Sequence, residues 1–95
     1  LGNQINPKKG VYCVNVLFKG QKLKGIANFG ERPTVHGTNL LLEVHIFKFN
    51  KEIYGKELTV EFLTFIRSEK KFKDFKSLTT QIKKDVIIAK NYHKI

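Results

Sequence analysis

A carboxylate set inside an apolar run is the feature of this chain best placed to do chemistry. Glu43 lies in Leu40-Leu-Leu-Glu-Val-His-Ile-Phe47, a segment that otherwise reads as a buried strand. Removing an unpaired carboxylate from water costs several kcal/mol in effective terms, so such a group is either paired or used. The one cationic candidate within the segment is His45, two residues along on the same strand face. Three readings of Glu43 stay open on these grounds. It is a carboxylate paired in the core, a charge on an edge strand, or a general base whose pKa is raised by desolvation.

The other reactive side chains form no constellation. His36 and His93 are isolated, and no His/Cys/carboxylate spacing describes a metal site. No Ser/His/Asp or Cys/His arrangement is implied, and Gly25 and Gly30 make neither a Walker-type loop nor a dinucleotide fingerprint. The single cysteine, Cys13, excludes an internal disulfide and reads as a small buried side chain within a strand.

The elements that must position Glu43 follow from periodicity. Residues 11–18 alternate as a strand, Lys19-Gly20 supplies a turn, and residues 21–29 return as a second strand. Residues 30–39, with two Gly, one Pro and several polar residues, predict a loop of a length that often carries function. Residues 40–49 form the third strand, with Leu41, Glu43, His45, Phe47 and Phe49 on one face and Leu40, Leu42, Val44 and Ile46 on the other. Apolar residues on both faces predict burial on both sides. After a turn over residues 50–55, residues 56–66 form a fourth strand with Leu58, Val60, Phe62 and Ile66 on one face, and residues 67–74 form a charged loop. The period then changes. Ser77 reads as an N-cap, and Leu78, Ile82, Val86 and Ala89 make the apolar stripe of a helix over about 77–92, with Lys83, Lys84 and Lys90 on its wet side.

Composition bounds the rest. Ninety-five residues, 41% hydrophobic, make a single domain over 1–95. No run approaches the ~20 apolar residues that cross a bilayer. The first residues have no apolar core of a signal peptide, and the chain lacks Met altogether. These features read as a soluble cytoplasmic protein and a piece of a longer one. A net charge of +10 favours anionic ligands. All of the eighteen basic residues except Arg32 and Arg67 are Lys, scattered along the chain, which argues against a base-reading surface. A small basic β-barrel that binds nucleic acid is the alternative reading, and a structural piece without a ligand is a third.

Several blocks, taken in order, carry a resemblance. Gly10-Val-Tyr12, Gly25-Ile-Ala-Asn-Phe-Gly-Glu-Arg-Pro-Thr-Val35, Leu42-Glu-Val-His-Ile-Phe47, Tyr54-Gly-Lys-Glu-Leu58, the segment 62–67 with Glu69 and Phe72, and Ser77-Leu78 with Gln81-Ile82 and Asp85 resemble the riboflavin kinases. More closely they are similar to the C-terminal kinase module of the bacterial bifunctional riboflavin kinase/FAD synthetases.

That resemblance implies a mainly β fold, a six-stranded antiparallel Greek-key barrel with a C-terminal α-helix. It implies transfer of the ATP γ-phosphate to the riboflavin 5′-hydroxyl, giving FMN and ADP, with Mg²⁺ accompanying ATP. The family's base falls on Glu43. Arg67, Glu69 and Phe72 match the loop that borders the flavin, and Asn28, Gly30 and Arg32 match the block beside the nucleotide and flavin cleft. The family's metal-binding Thr and Asn belong to a Pro-Thr-Ala-Asn type motif upstream of the Gly-Val-Tyr block. No counterpart of it stands in this sequence, so no metal ligand is assigned here and the barrel is expected to be incomplete. Open sheet edges would then favour self-association, and catalysis by these residues alone would be impaired.

Overall fold

A computed structural model of the chain describes residues 7–49 and 58–95. Four antiparallel strands, β1 (Gly10–Phe18), β2 (Gln21–Thr34), β3 (Gly37–Ile46) and β4 (Thr59–Ser68), are followed by one helix, α1 (Phe75–His93). They form a single sheet in the order β3-β2-β1-β4. Among the described residues this sheet does not close into a barrel, and β3 and β4 are its edges.

The first hairpin follows from its turn. Lys19 and Gly20 both take positive φ, 48° and 77°, as a tight two-residue turn requires. Register then runs from Phe18 opposite Gln21 to Gly10 opposite Phe29. The second hairpin corrects the expected loop over residues 30–39. β2 continues to Thr34 and β3 starts at Gly37, with the ladder unbroken from Gly30 opposite Leu41 to Thr34 opposite Gly37. Polar residues dominate this stretch because both arms project into solvent, not because the backbone is unpaired. Val35 at the tip is almost fully exposed. The expected turn over residues 50–55 and the expected start of the fourth strand at residue 56 fall outside the described residues.

Alternation sorts the apolar side chains onto two faces. Tyr12, Val14, Val16 and Ala27 are buried together, with Leu23, Phe29, Leu42, Val44, Ile46, Leu58, Val60 and Phe62 packed on them. The opposite face carries Cys13, Phe47 and Ala89 of the helix, with Ile26, Leu63, Ile66 and Val86 around them. The expected face of the fourth strand holds through Phe62 and fails at Ile66. Register irregularities between Val11 and Tyr12 and between Cys13 and Val14 mark bulges in the β1–β4 pairing, which put Leu63 and Ile66 on the helix side.

β3 also departs from expectation. Leu40 and Leu41 are exposed, so the strand is not buried on both sides. Its first half belongs to the projecting hairpin, where nothing among the described residues covers it. Phe47, 8% exposed, sits where the chain meets the helix.

The helix starts earlier than Ser77. Asp74 is the N-cap in extended conformation, and its Oδ1 accepts from the Ser77 N–H at 2.8 Å. Ser77 is thus the donor in the first turn, and the carboxylate takes the capping role. At the other end Lys94 takes the left-handed conformation that closes the last turn, with its N–H directed at Asn91 O. The stripe turned to the sheet is Asp85, Ala89 and His93, whereas Ile82 of the expected stripe is exposed. The Cys13 thiol donates to Ala89 O at 3.7 Å, and His93 Nε2 lies 3.2 Å from Gly25 O. Burial pushes the Cys13 pKa up, which keeps the thiol protonated and suits a structural role.

Candidate active site

The candidate residues come from one row across the sheet, the outer part of β2 with Gly30 and Arg32, and the loop that follows β4. Glu43 on β3 is directly opposite Asn28 on β2, Asn28 is opposite Val11 on β1, and Val11 is opposite Arg67 on β4. Strand alternation puts this row on the face that carries the helix. Two connected hollows lie along it. One of about 420 Å³ is lined by Val11, Asn28, Glu43, His45, Arg67 and Asp85, among others. The second, of about 690 Å³, is lined by Asn28, Arg32, Arg67, Glu69, Phe72 and neighbouring residues. Asn28 and Arg67 border both.

Glu43 is not buried: its side chain is 55% exposed. Its cationic partner is Arg32, reached across the hairpin, and not His45. Arg32 Nη2 donates to Glu43 Oε1 at 2.5 Å, while Arg32 Nη1 donates to Glu69 Oε1 at 3.1 Å. Hydrogen bonds to Glu43 and then Glu69 raise the Arg32 pKa further, so the guanidinium is a fixed charge between two carboxylates. Glu43 is therefore a charge on an edge strand with an exposed cationic partner, and not a carboxylate paired in the core. His45 instead packs edge-on against Phe47 at 5.7 Å.

Gly30 has a steric reason to be glycine. A Cβ there would stand 1.8 Å from Glu69 Oε1, so the carboxylate lies against the bare Cα. Asn28 has an electrostatic one to matter: its Oδ1 is buried with no hydrogen-bond partner among the described residues. A buried orphan acceptor costs about 1–3 kcal/mol and invites a donor from a ligand.

Arg67 is anchored from behind. Its Nε donates to Asp85 Oδ1 and Oδ2, each at 3.0 Å, and its Nη2 to Oδ2 at 2.9 Å. Gln81 Nε2 adds a further bond to Asp85 Oδ1 at 3.0 Å. With Asp85 2% exposed, this is the buried ion pair of the described structure. The Arg67 guanidinium also faces the Phe72 ring at 5.6 Å, and Lys70 Nζ lies 5.5 Å from that ring. Gln81 and Asp85 carry no role read from spacing. A charge in register with Ala89 and His93 on the helix's inner stripe was the signal available.

Every expected site residue thus lies in or beside these hollows, with Gly30 acting through the space it leaves. The arrangement offers an accessible carboxylate oriented by a cation, an orphan amide oxygen, and an aromatic ring backed by positive charge. Among the described residues no group of three or more His, Cys, Asp and Glu could hold a metal ion. The donors this face offers a hard cation are the Asn28 oxygen and the outer oxygens of Glu43 and Glu69. That set suits Mg²⁺ delivered on phosphates better than a cage made wholly of protein.

The family model for riboflavin kinase (flavokinase) matches residues 1–93. The bifunctional riboflavin kinase/FMN adenylyltransferase of Haemophilus influenzae is 50% identical over 93 residues, covering 97% of this chain and 30% of that protein. An RNA-binding riboflavin kinase of Bacillus subtilis is 41% identical over 91 residues, covering 93% of this chain and 39% of that protein. A solved structure of a macrolide-efflux protein from Streptococcus pneumoniae superposes with a TM-score of 0.82 at 37% identity, over 92% of this chain and 29% of its own. The chain therefore spans about a third of the curated relatives it matches. A family match over nearly all of its residues means that this chain belongs to the riboflavin kinase family.

Proposed function

We propose that the full-length protein phosphorylates riboflavin, with Glu43 as the general base. The observation that carries this is Glu43 itself: an accessible carboxylate, fixed by Arg32 at one oxygen and facing the hollow that Asn28 and Arg67 also line. Its second oxygen is left to accept a proton. The 5′-hydroxyl oxygen of the ribityl chain forms a bond to the γ-phosphorus of ATP. The bond from that phosphorus to the β,γ-bridging oxygen breaks, and ADP leaves. The hydroxyl proton passes to Glu43 and then to solvent.

When bound with ATP, Mg²⁺ would supply charge neutralisation for the transferring phosphoryl group, and the outer oxygen of Glu69 is among the groups of this face that would hold it. Asn28 Oδ1 accepts from a ligand hydroxyl or N–H, and the Phe72 ring, with Arg67 and Lys70 near it, borders the flavin. Riboflavin and ATP are the substrates on this reading, and FMN and ADP the products. The protein works in the cytoplasm, where ATP is supplied; no helix of the described residues is long and apolar enough to cross a membrane. Kinship with bifunctional proteins supports a second, adenylyltransferase activity in the same polypeptide. Among the described residues β3 and β4 have no strand on their outer sides, which supports self-association of the isolated residues.

The test is riboflavin phosphorylation by the full-length protein, followed by conversion of riboflavin to FMN. Glu43→Gln should lower kcat by about 10²–10⁴-fold, the range of general-base catalysis, with an unchanged circular dichroism spectrum. Near-normal turnover by that variant would remove Glu43 from the base role.

A second reading rests on the lysine-lined depression formed by Lys70, Lys71, Lys73, Lys76 and Lys84. It has the chemistry of a polyanion site. Association with oligonucleotides that weakens steeply with salt, without any flavin fluorescence response, would favour it.

A further inference from the structure

Arg32 joins two segments far apart in sequence through a single planar group. One arm of its guanidinium holds Glu43 on β3, and the other holds Glu69 in the β4–α1 connection, 37 residues away. The geometry points to Arg32 as a positioning residue: it fixes the Glu43 carboxylate at one oxygen and locks the loop bearing Phe72 to the same group, so that base and loop are set together. This inference rests on the kinase reading above.

Three observations carry it. The two pairs use different nitrogens, Nη2 and Nη1, so they form simultaneously. Nη1 also donates to Glu31 O at 2.8 Å, which fixes the guanidinium relative to its own strand. Gly30 leaves the space in which the Glu69 carboxylate rests, at a position with no left-handed backbone requirement of its own.

The three side chains are a third to a half exposed, and exposed ion pairs add little to stability. Their value lies in geometry, where a misplacement of about 1 Å can cost about 10²-fold in rate. Gly30→Ala is the sharpest probe. Its Cβ would evict the flexible end of Glu69 while leaving every charge in place and the strand conformation allowed.

In the full-length protein, Gly30→Ala, Glu69→Gln and Arg32→Lys should each lower kcat about tenfold. KM for riboflavin should change less than about threefold, and the melting temperature should stay nearly constant. The Gly30→Ala/Glu69→Gln double variant should be no slower than either single one, because both remove the same contact. Multiplying effects in the double variant, or full turnover by Arg32→Lys, would overturn the proposal. Rotation of the Arg32 guanidinium, read by NMR, is independent of activity. It should be slow in the wild type and fast in Gly30→Ala, and fast rotation in the wild type would also overturn it. Absence of riboflavin phosphorylation in the wild type, with slow rotation retained, would instead refute the kinase reading and leave the two-armed clamp standing.

Discussion

On one face of the sheet Tyr12, Val14, Val16 and Ala27 are packed by eight further apolar side chains. On the other, across the same strands, Glu43, Asn28 and Arg67 stand in a row with only Val11 between Asn28 and Arg67. The first face is stabilised by area removed from water, about 1.5–3 kcal/mol for each fully buried large side chain, and tolerates shape-conserving change. The second is held by directed partners, so its order depends on each partner being present. The second face also carries the smaller apolar cluster of Cys13, Phe47 and Ala89 under the helix, but the chemistry of the row is confined to that side of the layer. Disturbing either side should leave a recognisably different signature.

The largest effect on stability is expected on the polar side. Asp85→Ala would strand Arg67 as an unpaired, mostly buried charge. It should cost about 3–5 kcal/mol in chemical denaturation and release Phe72 from its cation. Replacing both partners at once, as Arg67→Met with Asp85→Leu, should restore stability while turnover stays low. Recovery of both would show that the pair serves folding alone.

The apolar side should give the opposite pattern. Val14→Ala, at a fully buried position, should cost about 1–3 kcal/mol, with kcat of the folded fraction unchanged. A selective loss of kcat would mean that the two faces are coupled through the backbone. The smallest effect lies off both faces, at the helix cap. Hydrogen bonding from the Ser77 side chain, then its backbone N–H, holds the Asp74 carboxyl below its ordinary pKa. Its stabilising contribution is therefore present at neutral pH and disappears as pH falls through the depressed folded value. Asp74→Ala should lower the melting temperature by a few degrees at pH 7, and that difference should vanish in acid.

Much of the β-architecture was legible because short-range rules decide it. The Lys19-Gly20 turn, the faces of β1 and the apolar run of β3 all follow from alternation and turn chemistry. The loop expected at residues 30–39 failed because polarity reports exposure, and an exposed hairpin is as polar as a loop. The helix start was misplaced by one turn because Asp74 and Ser77 are both good caps, and only geometry shows which side chain accepts. The buried-charge argument was sound but fell on the wrong residue. Glu43 is half exposed, while the carboxylate that is truly withdrawn from water is Asp85, whose partner Arg67 lies 18 positions away. Pairing over such separations leaves no periodic trace. The same holds for Arg32 and Glu69.

The bulges of β4 bear on how the length of this segment can change in related sequences. At each, two consecutive residues face one residue of β1, so Leu63 with Thr64, and Ile66 with Arg67, share a step of the ladder. Losing Leu63 or Ile66 would turn that step into a regular one and thin the helix contact, yet Arg67 would still arrive opposite Val11. Losing a neighbour outside the bulges would reverse the strand beyond it and send the guanidinium into the apolar face. Insertions and deletions in this strand should therefore collect at positions 63 and 66, and homologues that differ in length there can keep the same arginine in the same place.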